Sequence, residues 1–143
     1  MKITSKEFAH NESIPKKFTC QGDDISPELT VEEVPEGAES LALIVEDPDA
    51  PGKTFDHWVA YDMPVDGKIP EGATPGTQGV NDFGKQGYGG PCPPSGTHRY
   101  FFKVFALDER LGLPEGLGKN DLQSAMENHI LGEAELVGLY AKS

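Results

Sequence analysis

A formal net charge of −12 on 143 residues, from 24 acidic and 12 basic side chains, argues against a nucleic-acid-binding surface, which needs clustered Lys and Arg, and against docking on an anionic bilayer. Hydrophobic residues make up 36% and charged residues 25%, as in a soluble globular chain, and the length suits a single domain, taken as residues 1–143. No run approaches the roughly 20 apolar residues of a membrane span, and Met1–Lys6 lacks the apolar stretch of a secretory leader, so a cytoplasmic location without membrane insertion is expected.

In chain order the pattern is one of strands and loops, with 17 Gly and 12 Pro spread throughout and no internal repeat. Strands are expected over residues 2–8, 29–33, 40–46, 57–63, 98–107 and 133–141. The fifth alternates most clearly: His98, Tyr100, Phe102, Val104 and Ala106 fall on one face, and Arg99, Phe101, Lys103, Phe105 and Leu107 on the other. Both faces are largely apolar, which predicts a central strand covered on both sides. Residues 69–86 form a long glycine-rich segment expected to frame a pocket mouth. A short helix or turn is expected over residues 108–113. A longer helix is expected after Asn120, an N-cap with Gln123 three residues on. Leu122, Ala125, Met126, His129 and Ile130 then share a face, and Gly132 supplies the stop. The sum is a mostly β fold, a sandwich with one or two peripheral helices.

Two loops stand apart in composition. One strand runs into Asp47-Pro48-Asp49-Ala50-Pro51-Gly52, and His57-Trp58 opens the next. Further on, Gly90-Pro91-Cys92-Pro93-Pro94-Ser95-Gly96-Thr97 leads into His98-Arg99-Tyr100. Prolines fix φ and remove backbone donors, while glycines allow turns closed to other residues, so such loops make rigid walls. Two walls, two histidines at strand starts and two acids are the parts of one polar pocket. Asp47, ending a buried strand, needs partners. It reads either as the acceptor for a pocket histidine, fixing its tautomer, or as an Asx-type cap of its own turn. A calcium loop is excluded, because Pro51 and Trp58 fall where ligands would be required. His57, His98 and Asp47 lack metal-site spacing, so neither metal nor cofactor is expected. Tyr88 and Tyr100 read as pocket lining, with core packing as the alternative. His10 and His129 read as surface and helix-face residues.

Cys20 and Cys92 have no CxxC spacing, which argues against zinc. In a cytoplasmic chain they are expected as free thiols, with a bridge between them as the alternative. Cys92 near two histidines also raises a hydrolase that uses Cys92 with His57 or His98. No helix start follows Pro93-Pro94 to lower a thiol pKa, so a non-enzymatic loop role is preferred.

These motifs resemble those of the phosphatidylethanolamine-binding proteins (the Raf-kinase-inhibitor-like family), in their bacterial and archaeal branch. The resemblance extends to Phe18-Thr19-Cys20-Gln21-Gly22, Ser26-Pro27, Ser40–Ile44 and Glu133–Gly138, and so covers essentially the whole chain. It implies a β-sandwich of a small and a large sheet, with a pocket for small anions such as phosphate and phosphorylated head groups. By motif, Asp47, His57, His98 and Tyr100 would line that pocket, with Gly90, Pro93 and Pro94 as its wall. Asp49 would support the loop, Pro51 would follow a cis peptide bond, and Cys92 stands where animal members carry a small residue. The resemblance further implies a binding or regulatory protein that restrains a kinase or a serine protease, and a homodimer.

Overall fold

The computed structural model describes residues 1–143. In chain order its elements are β1 (Lys2–Thr4), β2 (Glu12–Ser13), β3 (Leu29–Glu32), β4 (Ser40–Asp47), β5 (Phe55–Met63), β6 (Lys68–Ile69), β7 (Thr77–Gln78), β8 (His98–Leu107), α1 (Lys119–Met126) and β9 (Ile130–Tyr140). They form a small sheet, β1-β3-β6, and a large sheet, β2-β9-β8-β4-β5-β7. The fold is therefore the mostly β, two-sheet arrangement that the sequence implies.

Period-two alternation sorts the side chains into two cores. Leu41, Leu43 and Val45 of β4 and Tyr100, Phe102 and Val104 of β8 point between the sheets, where Ile3, Leu29, Val31 and Ile69 of the small sheet meet them. Ala42 and Ile44, on the opposite face of β4, join Val59 and Tyr61 under Leu122 and Met126 of α1. A strand buried on both faces must be apolar along its covered length, and β4 is so from Leu41 to Val45. Each fully buried large side chain contributes about 1.5–3 kcal/mol, so the central strands β4, β5 and β8 carry most of the stability.

Sheet register brings the two unusual loops together. β4 pairs antiparallel with both β5 and β8, with Asp47 opposite Phe55 and Glu46 opposite Phe101. The end of β4 therefore lies beside the starts of β5 and β8, and Asp47, His57 and His98 gather at one end of the sheet although 51 residues separate the first from the last.

Several local expectations are corrected. The helix begins after Gly118 rather than Asn120, with no side-chain cap, and ends at Met126, well before Gly132. Asn128 takes a left-handed turn at φ 67°, and Ile130 already pairs with Leu107 in β9, so strand pairing claims residues assigned to the helix face. No helix forms over residues 108–113, because the Asp62 carboxylate accepts the backbone N–H groups of Leu111, Gly112 and Leu113 at 2.7, 3.0 and 3.3 Å. β1 stops at Thr4, because Ser5 turns the chain: its Oγ donates to the Glu28 carbonyl and accepts from Glu7 N. β8 is central, but only one face is fully covered. On the other, Arg99 is exposed and Phe101, Lys103 and Phe105 are half-buried. No helix is long and apolar enough to cross a membrane.

Candidate functional site

The loops at that end of the large sheet enclose a cavity of about 200 Å³. Its polar floor is Asp47, His57, His98 and Tyr100, and Cys92, Pro93 and Pro94 form one wall. Ala50 and Pro51 form a second wall, and Phe55 and Phe83 a third. Larger depressions along β9 are open grooves lined by surface residues such as Glu133 and His10, with no buried polar group.

Asp47 is 3% exposed and does two jobs at once. Oδ2 accepts from Nδ1–H of His98 at 2.6 Å, and Oδ1 accepts the backbone N–H of Asp49 at 2.8 Å. Both sequence readings of this residue therefore hold together. A buried carboxylate is tolerable only when so paired. The bond orients the His98 ring and leaves Nε2 as the nitrogen free for a ligand. Asp49 turns outward. Its two oxygens grip the Arg99 guanidinium at 2.9 Å each, and Oδ2 also takes the Arg99 backbone N–H at 2.9 Å. That Arg99 pairing holds the Asp49 carboxyl down at about 2, and it ties the first loop to the start of β8.

His57 stands differently. Its Nδ1–H donates to the Gly89 carbonyl at 2.7 Å, and the rings of Phe55, Phe83 and Tyr100 surround it with centroids 4.9, 5.4 and 5.2 Å away. Burial pushes its pKa below the ordinary histidine value, against the pull of the Gly89 carbonyl and the Asp47 carboxylate. Tyr100 is 1% exposed, and its hydroxyl is buried without a hydrogen-bond partner. Burial, and then the nearby Asp47 carboxylate, push its pKa well up, so it stays a neutral donor. A buried, unpartnered donor in a cavity wall is costly unless something fills the cavity.

Four expectations at the site are corrected. Cys92 is bonded to Cys20, 72 residues away, rather than free. Sequence distance hid that the two loops abut, with Cys20 N donating to the Pro91 carbonyl at 3.1 Å. In this state Cys92 has no thiolate, the species a hydrolase would need. Tyr88 does not line the cavity. It packs edge-on against Trp58 and donates its hydroxyl to the Phe18 carbonyl at 2.7 Å. Gly90 lies behind the wall, where a Cβ would come within 2.4 Å of the Phe18 carbonyl and of Asp24 Oδ1; its N–H donates to that same Oδ1 at 2.8 Å. Finally, Pro51 lines the cavity, but no cis peptide bond occurs. Gly52, at φ 84°, turns the loop instead, a conformation that glycine adopts at no steric cost.

Phe55, Phe83 and Ala50 were not singled out by sequence. Phe83 sits in the long segment expected to frame the mouth, in a turn built by buried Asn81. The Asn81 side chain accepts from Phe83 N and Lys85 N and donates to the Gly87 carbonyl. The readable signal was a lone aromatic in a Gly-rich loop. His10 accepts from Val137 N. His129 lies beyond the helix and meets Asp108 and Glu109, which gives it more company than expected. No group of three or more His, Cys, Asp or Glu is arranged to hold a metal ion.

Comparison with known proteins adds an independent line. A family model described as phosphatidylethanolamine-binding protein matches residues 4–141. A UPF0098 protein of Aquifex aeolicus is 50% identical, with 99% of this chain and 89% of the relative covered. Among solved structures, a phosphatidylethanolamine-binding protein homologue from Chlamydia trachomatis superposes with a TM-score of 0.96 at 45% identity, covering 99% of this chain and 97% of that one. YbcL of E. coli, described as a member of the mammalian PEBP family, gives 0.91 at 33% identity, covering 99% and 98%.

Proposed function

Because this chain belongs to the phosphatidylethanolamine-binding protein family, we propose that it is a non-enzymatic binding and regulatory protein whose cavity captures a small anionic or phosphorylated group. The observation that carries this reading is the unpartnered Tyr100 hydroxyl beside the Asp47–His98 pair. A neutral buried donor, an oriented imidazole and a rigid proline wall suit an anion's oxygens at short range. The net charge of −12 does not oppose this, because surface charge is screened over about 8–10 Å at physiological salt. In the regulatory reading the captured group belongs to a partner protein, a kinase or a serine protease, which the bound chain inhibits. That part rests on family resemblance, as does the homodimer.

The experiment is an NMR titration of labelled protein with inorganic phosphate and phosphoethanolamine at about pH 6, just below the reference histidine pKa, following the His57 and His98 side chains. Saturable shifts at both are expected. Tyr100→Phe should weaken binding roughly tenfold while leaving stability unchanged or slightly raised, since it removes a buried donor that has no partner in the free protein. Absence of shifts at millimolar ligand would contradict the reading.

A further inference from the structure

The two cavity histidines are held by unlike partners, and the difference bears on what the cavity accepts. His98 gives its Nδ1–H to a carboxylate. His57 gives its Nδ1–H to the Gly89 carbonyl, which can only accept. The neutral His57 ring therefore carries its proton on Nδ1 and a bare lone pair on Nε2. The residue is 4% exposed, and the shell of Phe55, Phe83 and Tyr100 opposes a second proton. The charged and titratable groups that face it are Asp47 on β4, His98 and Tyr100 on β8, and Asp24 in the loop before β3. The two carboxylates favour that second proton, and burial outweighs them. Near neutral pH the cavity thus offers an acceptor at His57 and, in the Tyr100 hydroxyl, a donor in need of an acceptor.

We propose that the cavity selects oxyanions that carry a proton: inorganic phosphate, or a phosphate monoester in its monoanionic form. The P–O–H group donates to Nε2 of His57, and an unprotonated oxygen accepts from Tyr100. This rests on the anion-pocket reading above and narrows it to a ligand class. Sulfate matches phosphate in size but has no proton near neutral pH. A phosphate diester, the form found within a lipid head group, has none either. Either one would set an oxygen lone pair against the His57 lone pair, or would require His57 to take a proton from solution. Monoesters keep their proton up to about pH 6, so the class is accessible under ordinary conditions.

The test is calorimetric titration of the full, disulfide-bonded chain at about pH 6 with four probes: inorganic phosphate, sulfate, phosphoethanolamine and glycerophosphoethanolamine. Phosphate should bind roughly tenfold or more tightly than sulfate, and the monoester should beat the diester by a similar factor, the cost of one unmatched buried polar group. His57→Phe should bring both ratios close to one. Should that variant not fold, the ¹⁵N shifts of the wild-type His57 ring answer the same question: an unprotonated Nε2 in the free protein is expected. Equal binding of sulfate and phosphate, or a protonated Nε2 at that pH, would overturn the proposal while leaving an anion pocket in being. Binding of none of the four probes would overturn the anion pocket and this proposal together.

Discussion

Two buried aspartates end neighbouring strands of the same sheet, and they serve opposite purposes. Asp62, 7% exposed near the end of β5, spends its carboxylate on three backbone N–H groups of residues 111–113. Every partner is backbone, in a segment whose Leu111 and Leu113 pack against the helix core. Asp47, 3% exposed at the end of β4, takes only one backbone N–H and gives its other oxygen to His98, at the edge of a cavity that also holds an unpartnered hydroxyl. A buried carboxylate consumed by backbone donors is part of the fold. One paired with a titratable ring beside a cavity is part of a site.

The comparison can be tested first through what pins each end. The Cys20–Cys92 bridge holds the cavity wall, and a loop of that length is worth about 4 kcal/mol by chain entropy. Replacing both cysteines by Ser should lower urea stability by about that amount and loosen ligand binding. Asp62→Ala removes a carboxylate that holds three part-buried N–H groups, and should cost about 3 kcal/mol with no change in anion affinity for the folded fraction. Asp47→Asn should show the reverse balance: a stability loss of about 1–2 kcal/mol with anion binding reduced at least tenfold.

The pH dependence is subtler. His57 has a folded pKa below its unfolded value of about 6.5, so the unfolded chain takes up the proton first as pH falls. Its contribution to stability is full above about pH 6.5 and is lost as pH drops toward the lowered folded value. Urea midpoints measured between about pH 7 and pH 5 should fall less steeply in His57→Gln than in the wild type; equal slopes would contradict this. The smallest effect is at the surface, where Arg99→Ala should let the Asp49 carboxyl rise from about 2 toward the ordinary value of about 3.9, measured by NMR titration.

Most of the fold could be read in the sequence because alternation is a strong signal. The β8 boundaries fall where the period-two pattern begins and ends, and both rigid loops were visible as Pro and Gly clusters. The helix boundaries were misread because Asn120-Gln123 has the composition of a capping box, while pairing of Ile130 with Leu107 decides where the helix must stop. Asp62 and Phe83 went unnoticed for a common reason. Each acts through groups far away in sequence, Asp62 on residues 49–51 positions later and Phe83 on the ring of His57. The Cys20–Cys92 bridge was hidden in the same way. By contrast, Asp47 was legible as a possible partner of a pocket histidine, though not of which one, because it closes a strand against a stiff loop as His57 and His98 open theirs; antiparallel pairing of β4 with β8 selects His98.

Asp47 serves a site, and Asp62 serves the fold. The direct measurement is a titration of Asp47→Asn and Asp62→Asn with inorganic phosphate, side by side, at a temperature where circular dichroism shows both folded. Asp62→Asn should bind phosphate like the wild type, and Asp47→Asn should not. Equal binding by the two variants would contradict this division of roles.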